Sequence, residues 1–169
     1  MRLYIIVALL MSLFDSSALA MNTLGSKQLK ADRILVEKSD RRMTLLFGDK
    51  IIKTYKVSLG MQPLGTKIKR GDNKTPEGLY YIVGRKLKSQ FHKSLRISYP
   101  NADDVERARK LGVDPGSDIM IHGVQNHHSY LDKLYKLRDW TRGCIAVRNH
   151  EIEEILNFVD DGTPIEILP

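Results

Sequence analysis

The chain has 169 residues, 27 Lys and Arg against 20 Asp and Glu, a net charge of +7, and a single cysteine. That length is one domain's worth, so a second independently folding unit is not expected. One thiol excludes an internal disulfide framework, and the basic balance suits an acidic partner although the cations are scattered in short clusters such as "GRKLK".

Residues 1–20 read as a signal peptide. Arg2 supplies a positive start, Leu3 to Phe14 is almost wholly apolar, and "SSALA" ends in the small-residue pattern that permits cleavage after Ala20. The apolar run is shorter than the roughly 20 residues that span a bilayer. The mature protein is therefore expected to be exported, without a stable membrane span and as a monomer, and export argues against a nucleic-acid partner. Removing the leader takes away only Arg2 and Asp15 among the charged residues, so the net charge stays at +7.

Residues 21–30, "MNTLGSKQLK", are polar and unpatterned, a flexible lead-in. The chain then reads as β-rich. "RILVEKS", "RMTLLFG" and "KIIKTYKVSLG" have the composition and partial alternation of strands, with a hairpin turn at "FGDK". Residues 60–78 hold four glycines and two prolines without apolar periodicity and predict a long exposed loop, a feature that is uncommon unless functional. "LYYIVGRKL" and "LRISYP" predict further strands. "NADDVERARKLG" predicts a short helix with an Asn start, acids in its first turn and bases in its last.

"DIMIHG" predicts a short strand ending at His122. Leu131, Leu134 and Leu137 then fall at helical spacing, in a helical excursion or a loop. "GCIAV" predicts a fully apolar strand that begins at Cys144. "HEIEEILNFVDDG" predicts a helix capped by Asn149, with Ile152, Ile155, Leu156 and Val159 on one face, and "PIEILP" a last strand.

Two strand ends carry the chemistry. If the strands of His122 and Cys144 are neighbours, imidazole and thiol can come within hydrogen-bond reach, as a base and a sulfur nucleophile require. An imidazolium there would lower the thiol pKa, and the amides around Gly143 and Cys144 could face a developing oxyanion. Read locally, Cys144 equally suits inert packing, since free cysteine is among the most buried residue types, and His122 suits a satisfied core histidine. His127 and His128 read as loop residues. The histidines and Cys144 lack zinc-ligand spacing, so no metal site is expected.

"IMIHG" followed by "DWTRGCIAVRNHEIEEI" resembles the L,D-transpeptidase (YkuD-type) catalytic domain, whose hallmark is His-Gly, a variable stretch, then Ser/Thr-x-Gly-Cys. The residues here are His122, Gly123, Thr141, Gly143 and Cys144. "GDNKTPEG" and the opening strands are also similar to that family, and the resemblance covers residues 31–168. It implies a mostly β (α+β) sandwich-like catalytic domain with a few short helices, working on peptidoglycan stem peptides in the periplasm or cell envelope without a metal or organic cofactor. It further implies that Cys144 attacks a peptide carbonyl to form a thioester, with His122 as base and then acid, the Gly123 carbonyl orienting it, and the Gly143 backbone in the oxyanion hole. The acceptor would be a stem amine, a lysine of a wall-linked lipoprotein, or water. The family often has an arginine or asparagine two residues after the cysteine, where this chain has Ala146. Arg142 or Arg148 is expected to hold a substrate carboxylate instead, with Thr141 beside them as a substrate contact. Chain order, with His122 before Cys144, disfavours papain-like enzymes. The other readings are a hydrolase of the same mechanism, whether L,D-carboxypeptidase or amidase, and a wall-binding module without catalysis.

Overall fold

The computed structural model describes residues 29–127 and 138–169. The elements in chain order are β1 (Arg33–Glu37), β2 (Arg42–Phe47), β3 (Lys50–Lys56), β4 (Gly78–Ser89), β5 (His92–Ile97), α1 (Ala102–Lys110), β6 (Met120–His122), β7 (Ile145–Ala146), α2 (Asn149–Phe158) and β8 (Pro164–Leu168). The proposed leader, residues 21–28 of the lead-in, His128 and the Leu131, Leu134 and Leu137 segment lie outside the described residues.

All eight strands join in the order β3-β2-β1-β8-β4-β5-β6-β7. β8 lies parallel to β1 and antiparallel to β4, so the last strand links the opening meander to the half of the sheet that carries β6 and β7. The two outer strands also meet. Just past β3, Ser58 bridges Ala146 and Gly60 bridges Thr141, which folds the sheet onto itself around one core. The mostly β architecture expected from the sequence is the one found.

Local sequence explains the elements. In β1, Ile34 and Val36 are fully buried while Arg33 is exposed, and Met43 and Leu45 of β2 point into the same cluster. Of the two helices, α2 presents apolar residues to it. Ile152 and Ile155 of α2 are fully buried among Leu95, Ile121 and Ile145, and Val159, just past the helix end, joins them. α1 begins at Asn101, whose side chain accepts from the Asp104 amide while the Asp104 carboxylate accepts from the Asn101 amide, a reciprocal cap.

The expected cap of α2 is one residue out. Arg148 is its N-cap, with the Glu151 carboxylate accepting from the Arg148 amide at 2.9 Å. The Asn149 Oδ1 instead accepts from the Val124 amide at 2.7 Å. It thereby ties the start of α2 to the chain just beyond His122.

The loop over residues 60–78 is held by buried charge. The Lys38 side chain is only 3% exposed, and its Nζ donates to the carbonyls of Gly65 and Thr75 and to Glu77 Oε1 at 2.7 Å. Asp72 accepts from Lys67 Nζ at 2.8 Å and from the amides of Ile68, Lys69 and Lys74. Burial alone would raise the Asp72 carboxyl, but those donors outweigh it and hold it below the usual carboxylate range.

Candidate active site

β6 and β7 are parallel neighbours, with Ile121 opposite Ile145 and His122 opposite Ala146. Those two isoleucines go into the core. Side chains alternate across a strand, so His122 and Cys144 turn to the other face and line one cavity of about 460 Å3 together with Phe91, Trp140, Thr141 and Arg142.

His122 is 3% exposed. Its Nδ1 lies 2.6 Å from the Gly123 carbonyl oxygen. A carbonyl only accepts, so Nδ1 holds the proton and Nε2 keeps a lone pair. The ring of Phe91 stacks at 4.5 Å between centroids, and Trp140 meets the imidazole edge-on at 5.7 Å and 72°. This enclosure lowers the imidazole pKa from 6.5 to about 4 by desolvation, against the smaller opposing effect of the Gly123 carbonyl.

Cys144 is partly exposed, and its thiol donates to the Asp118 carbonyl at 3.7 Å. Burial pushes the thiol pKa up, and the Met120 amide and the Lys67 charge oppose this without reversing it. The expectation of an imidazolium that depresses the thiol therefore needs correction. Burial disfavours the charged form of both groups, which favours a neutral thiol beside a neutral imidazole in the free site. A neutral pair of this kind suits general-base chemistry, in which a thiol loses its proton only as it attacks.

The turn before Cys144 is built by Thr141. Its Oγ1 accepts from the Gly143 amide at 3.1 Å and donates to the Cys144 carbonyl at 2.7 Å. Its backbone joins the chain after β3, with N–H to the Leu59 carbonyl and carbonyl to the Met61 N–H. Two expectations change accordingly. The Thr141 hydroxyl holds the turn rather than a substrate, and the Gly143 N–H is already spent inside that turn, which removes it from the oxyanion role. The glycine is required for another reason. At φ +127° a side chain is strained, and a Cβ would sit 2.6 Å from the Lys74 carbonyl.

The two expected arginines separate. Arg142 is exposed and lines the cavity of His122 and Cys144. It also lines a second cavity of about 360 Å3, which contains Cys144, Lys67 and Arg70 but not His122. Arg148 lines neither, because its position as the α2 N-cap carries it past β7. A third cavity, of about 530 Å3, joins His122 and Cys144 to Phe91, Asp118, Met120 and two lysines of β4. Among the described residues no group of three His, Cys, Asp or Glu side chains could hold a metal ion, and no helix is long and apolar enough to cross a membrane.

Phe91, Trp140, Asp118 and the Asn149 strut were missed from the sequence. Trp140 had a signal, as the only tryptophan and adjacent to Thr141. Phe91 had none, since it sits in the turn of the β4–β5 hairpin and reaches His122 only through the fold.

Residues 31–167 match the sequence profile of the YkuD family, the L,D-transpeptidase catalytic domain. A protein of Escherichia coli (strain K12), provisionally named L,D-transpeptidase YafK, is 34% identical over 111 residues, covering 64% of this chain and 37% of that protein. The helical cell shape determining protein Pgp2 of Campylobacter jejuni has a crystal structure that superposes with a TM-score of 0.60 at 26% identity, over 80% of this chain and 46% of its own. An Enterococcus faecium L,D-transpeptidase, in a mutant form, superposes with a TM-score of 0.53 at 14% identity, over 83% of this chain and 50% of its own, and shows the fold alone. The chain thus spans about half, or less, of the length of these relatives.

Proposed function

Because the chain belongs to the L,D-transpeptidase catalytic domain family, we propose that it is a cysteine acyltransferase of peptidoglycan stem peptides in the cell envelope. The observation that carries this reading is the pairing in one cavity of the Cys144 thiol with an imidazole whose Nδ1–H is held by Gly123 and whose Nε2 is free to take a proton.

Cys144 Sγ attacks the carbonyl between the L-centre of diaminopimelate and the terminal D-alanine of a tetrapeptide stem while His122 Nε2 takes the thiol proton. The tetrahedral oxyanion is met by the Cys144 amide, since the Gly143 amide is committed to Thr141. Collapse breaks the C–N bond, the imidazolium gives its proton to the departing D-alanine amine, and a thioester remains. An acceptor amine, from a second stem or a lipoprotein lysine, then attacks the thioester as Nε2 removes its proton, and protonation of the sulfur restores the thiol. Phe91 and Trp140 shield the imidazole from water, which favours an amine over hydrolysis at the deacylation step. Arg142, facing both cavities beside the sulfur, is the cation for a stem carboxylate.

Residues 1–20 would deliver the domain across the inner membrane. The likeness to Pgp2, a helical cell shape determining protein, suggests a part in cell shape for this chain.

The test is incubation of purified protein with disaccharide-tetrapeptide, followed by mass spectrometry. A cross-linked dimer is expected, lost in Cys144→Ala. Tripeptide without dimer would assign an L,D-carboxypeptidase. Unchanged tetrapeptide with cleavage of cross-linked or lipoprotein-linked material would assign an amidase. Undiminished turnover by Cys144→Ala would overturn the cysteine mechanism.

A further inference from the structure

Resting on the reading above, we propose that the cleft face of the β4–β5 hairpin is an exosite that grips carboxylates of the wall polymer away from the bond being cut. The hairpin segment from Gly84 to Arg96 carries Arg85, Lys86, Lys88, His92, Lys93 and Arg96 and no acid. The fold sorts these cations onto two faces. Arg85 sits opposite Leu95 on the core side, where it pairs with Asp160 and Asp161, and His92 and Lys93 pair with Glu153 of α2. These three are hydrogen-bonded to acids within the molecule.

Lys86 and Arg96 belong to the other face. Lys86 lies opposite Ser94, which lies opposite His122, and Arg96 lies opposite Met120, the residue in step with Cys144. Strands are spaced by about 4.8 Å, so Lys86 stands about 10 Å along its row from His122. Lys86, Lys88 and Arg96 are exposed, and none makes an ion pair among the described residues. Lys86 and Lys88 form one wall of the third cavity, which runs without a break to His122 and Cys144, and Asp118 is the acid that shares it. Three unpaired cations on the same face, two of them opening into the cavity of His122 and Cys144 and the third in the row of Met120, are complementary to a chain bearing closely spaced carboxylates. A peptidoglycan strand, with carboxylates on every stem, is that chain.

Sorting of this kind separates the two jobs of a basic hairpin. The paired cations fasten it to α2 and to the turn that follows, and the unpaired ones remain available to the substrate.

The experiment measures binding, so it does not depend on turnover. In a Cys144→Ala background, protein is pelleted with purified sacculi at 50 and 300 mM NaCl. Lys86→Gln, Lys88→Gln and Arg96→Gln together are expected to weaken binding by about tenfold at low salt and to remove most of its salt dependence. Lys86→Arg, Lys88→Arg and Arg96→Lys should retain it. Sacculi whose carboxylates have been amidated should bind the parent protein no better than unmodified sacculi bind the triple variant. Unchanged binding of a folded triple variant, or full binding to amidated sacculi, would overturn the proposal. So would a loss confined to phosphatidylglycerol vesicles, which would assign the face to a membrane surface. Absence of any turnover on disaccharide-tetrapeptide would count against the proposed function while leaving this result readable.

Discussion

Replacing Thr141 by valine keeps the side-chain volume and removes one oxygen. That oxygen accepts from the Gly143 amide and donates to the Cys144 carbonyl, and Thr141 and Gly143 are buried. A buried backbone group left without its partner costs about 1–3 kcal/mol, so the two together come to about 2–6 kcal/mol. For a domain of this size, Tm falls by roughly 3 °C per kcal/mol, which predicts a drop of roughly 6–18 °C in Thr141→Val by calorimetry. Thr141→Ser keeps the hydroxyl and should recover most of it. Because the turn positions the sulfur, kcat on disaccharide-tetrapeptide should fall by about 100-fold with KM within about twofold, the signature of a misplaced reacting group. An unchanged Tm together with a raised KM and a preserved kcat would refute this account and return Thr141 to the substrate-contact role expected from the sequence.

Protonation gives a second test. The imidazole of His122 titrates near 4 in the fold against 6.5 without it, so between those values the unfolded chain binds more protons. Stability from this residue is therefore full above pH 6.5 and is lost as pH falls toward 4, by about 3 kcal/mol. Urea unfolding from pH 7 to 4 should show that slope and His122→Gln should lack it; equal slopes would sink the assignment. The raised thiol pKa predicts slow iodoacetamide labelling of Cys144 at pH 7, climbing above pH 9. A rate already level from pH 5 to 8 would mean a thiolate–imidazolium pair instead. Gly143→Ala, which forces a Cβ toward the Lys74 carbonyl at a positive φ, should cost more than about 2 kcal/mol, and wild-type stability would disprove the close approach. Lys38→Met leaves Glu77 and two carbonyls without their shared cation, with an expected loss of about 3 kcal/mol in urea unfolding. A loss under 1 kcal/mol would show that the loop over residues 60–78 does not depend on it.

Much of this protein is legible in local pattern, because strands and helices announce themselves by the period at which apolar residues recur. The alternation of Ile34 and Val36, the reciprocal cap of Asn101 and Asp104, and the face made by Ile152 and Ile155 are decided within a few residues of chain. His122 and Cys144 were also legible, each at the end of a short apolar strand, in the order and setting of a family hallmark.

What the sequence could not contain is the use to which each polar group is put, since a hydrogen-bond partner is chosen by distance in space. Asn149 has the composition of a helix cap and serves the Val124 amide instead. Gly143 has the place of an oxyanion donor, but the hydroxyl two residues earlier takes its amide. Phe91 is an unremarkable hairpin residue until pairing of β4, β5 and β6 lays it on the imidazole. The same pairing decides which cations of one basic hairpin pair with acids of α2 and the turn after it and which face the cleft. The chain by itself determined the elements and the candidate pair of His122 and Cys144, through local periodicity and residue chemistry. Burial, which sets the protonation of that pair, and register, which sets its neighbours, came only from bringing distant strands together.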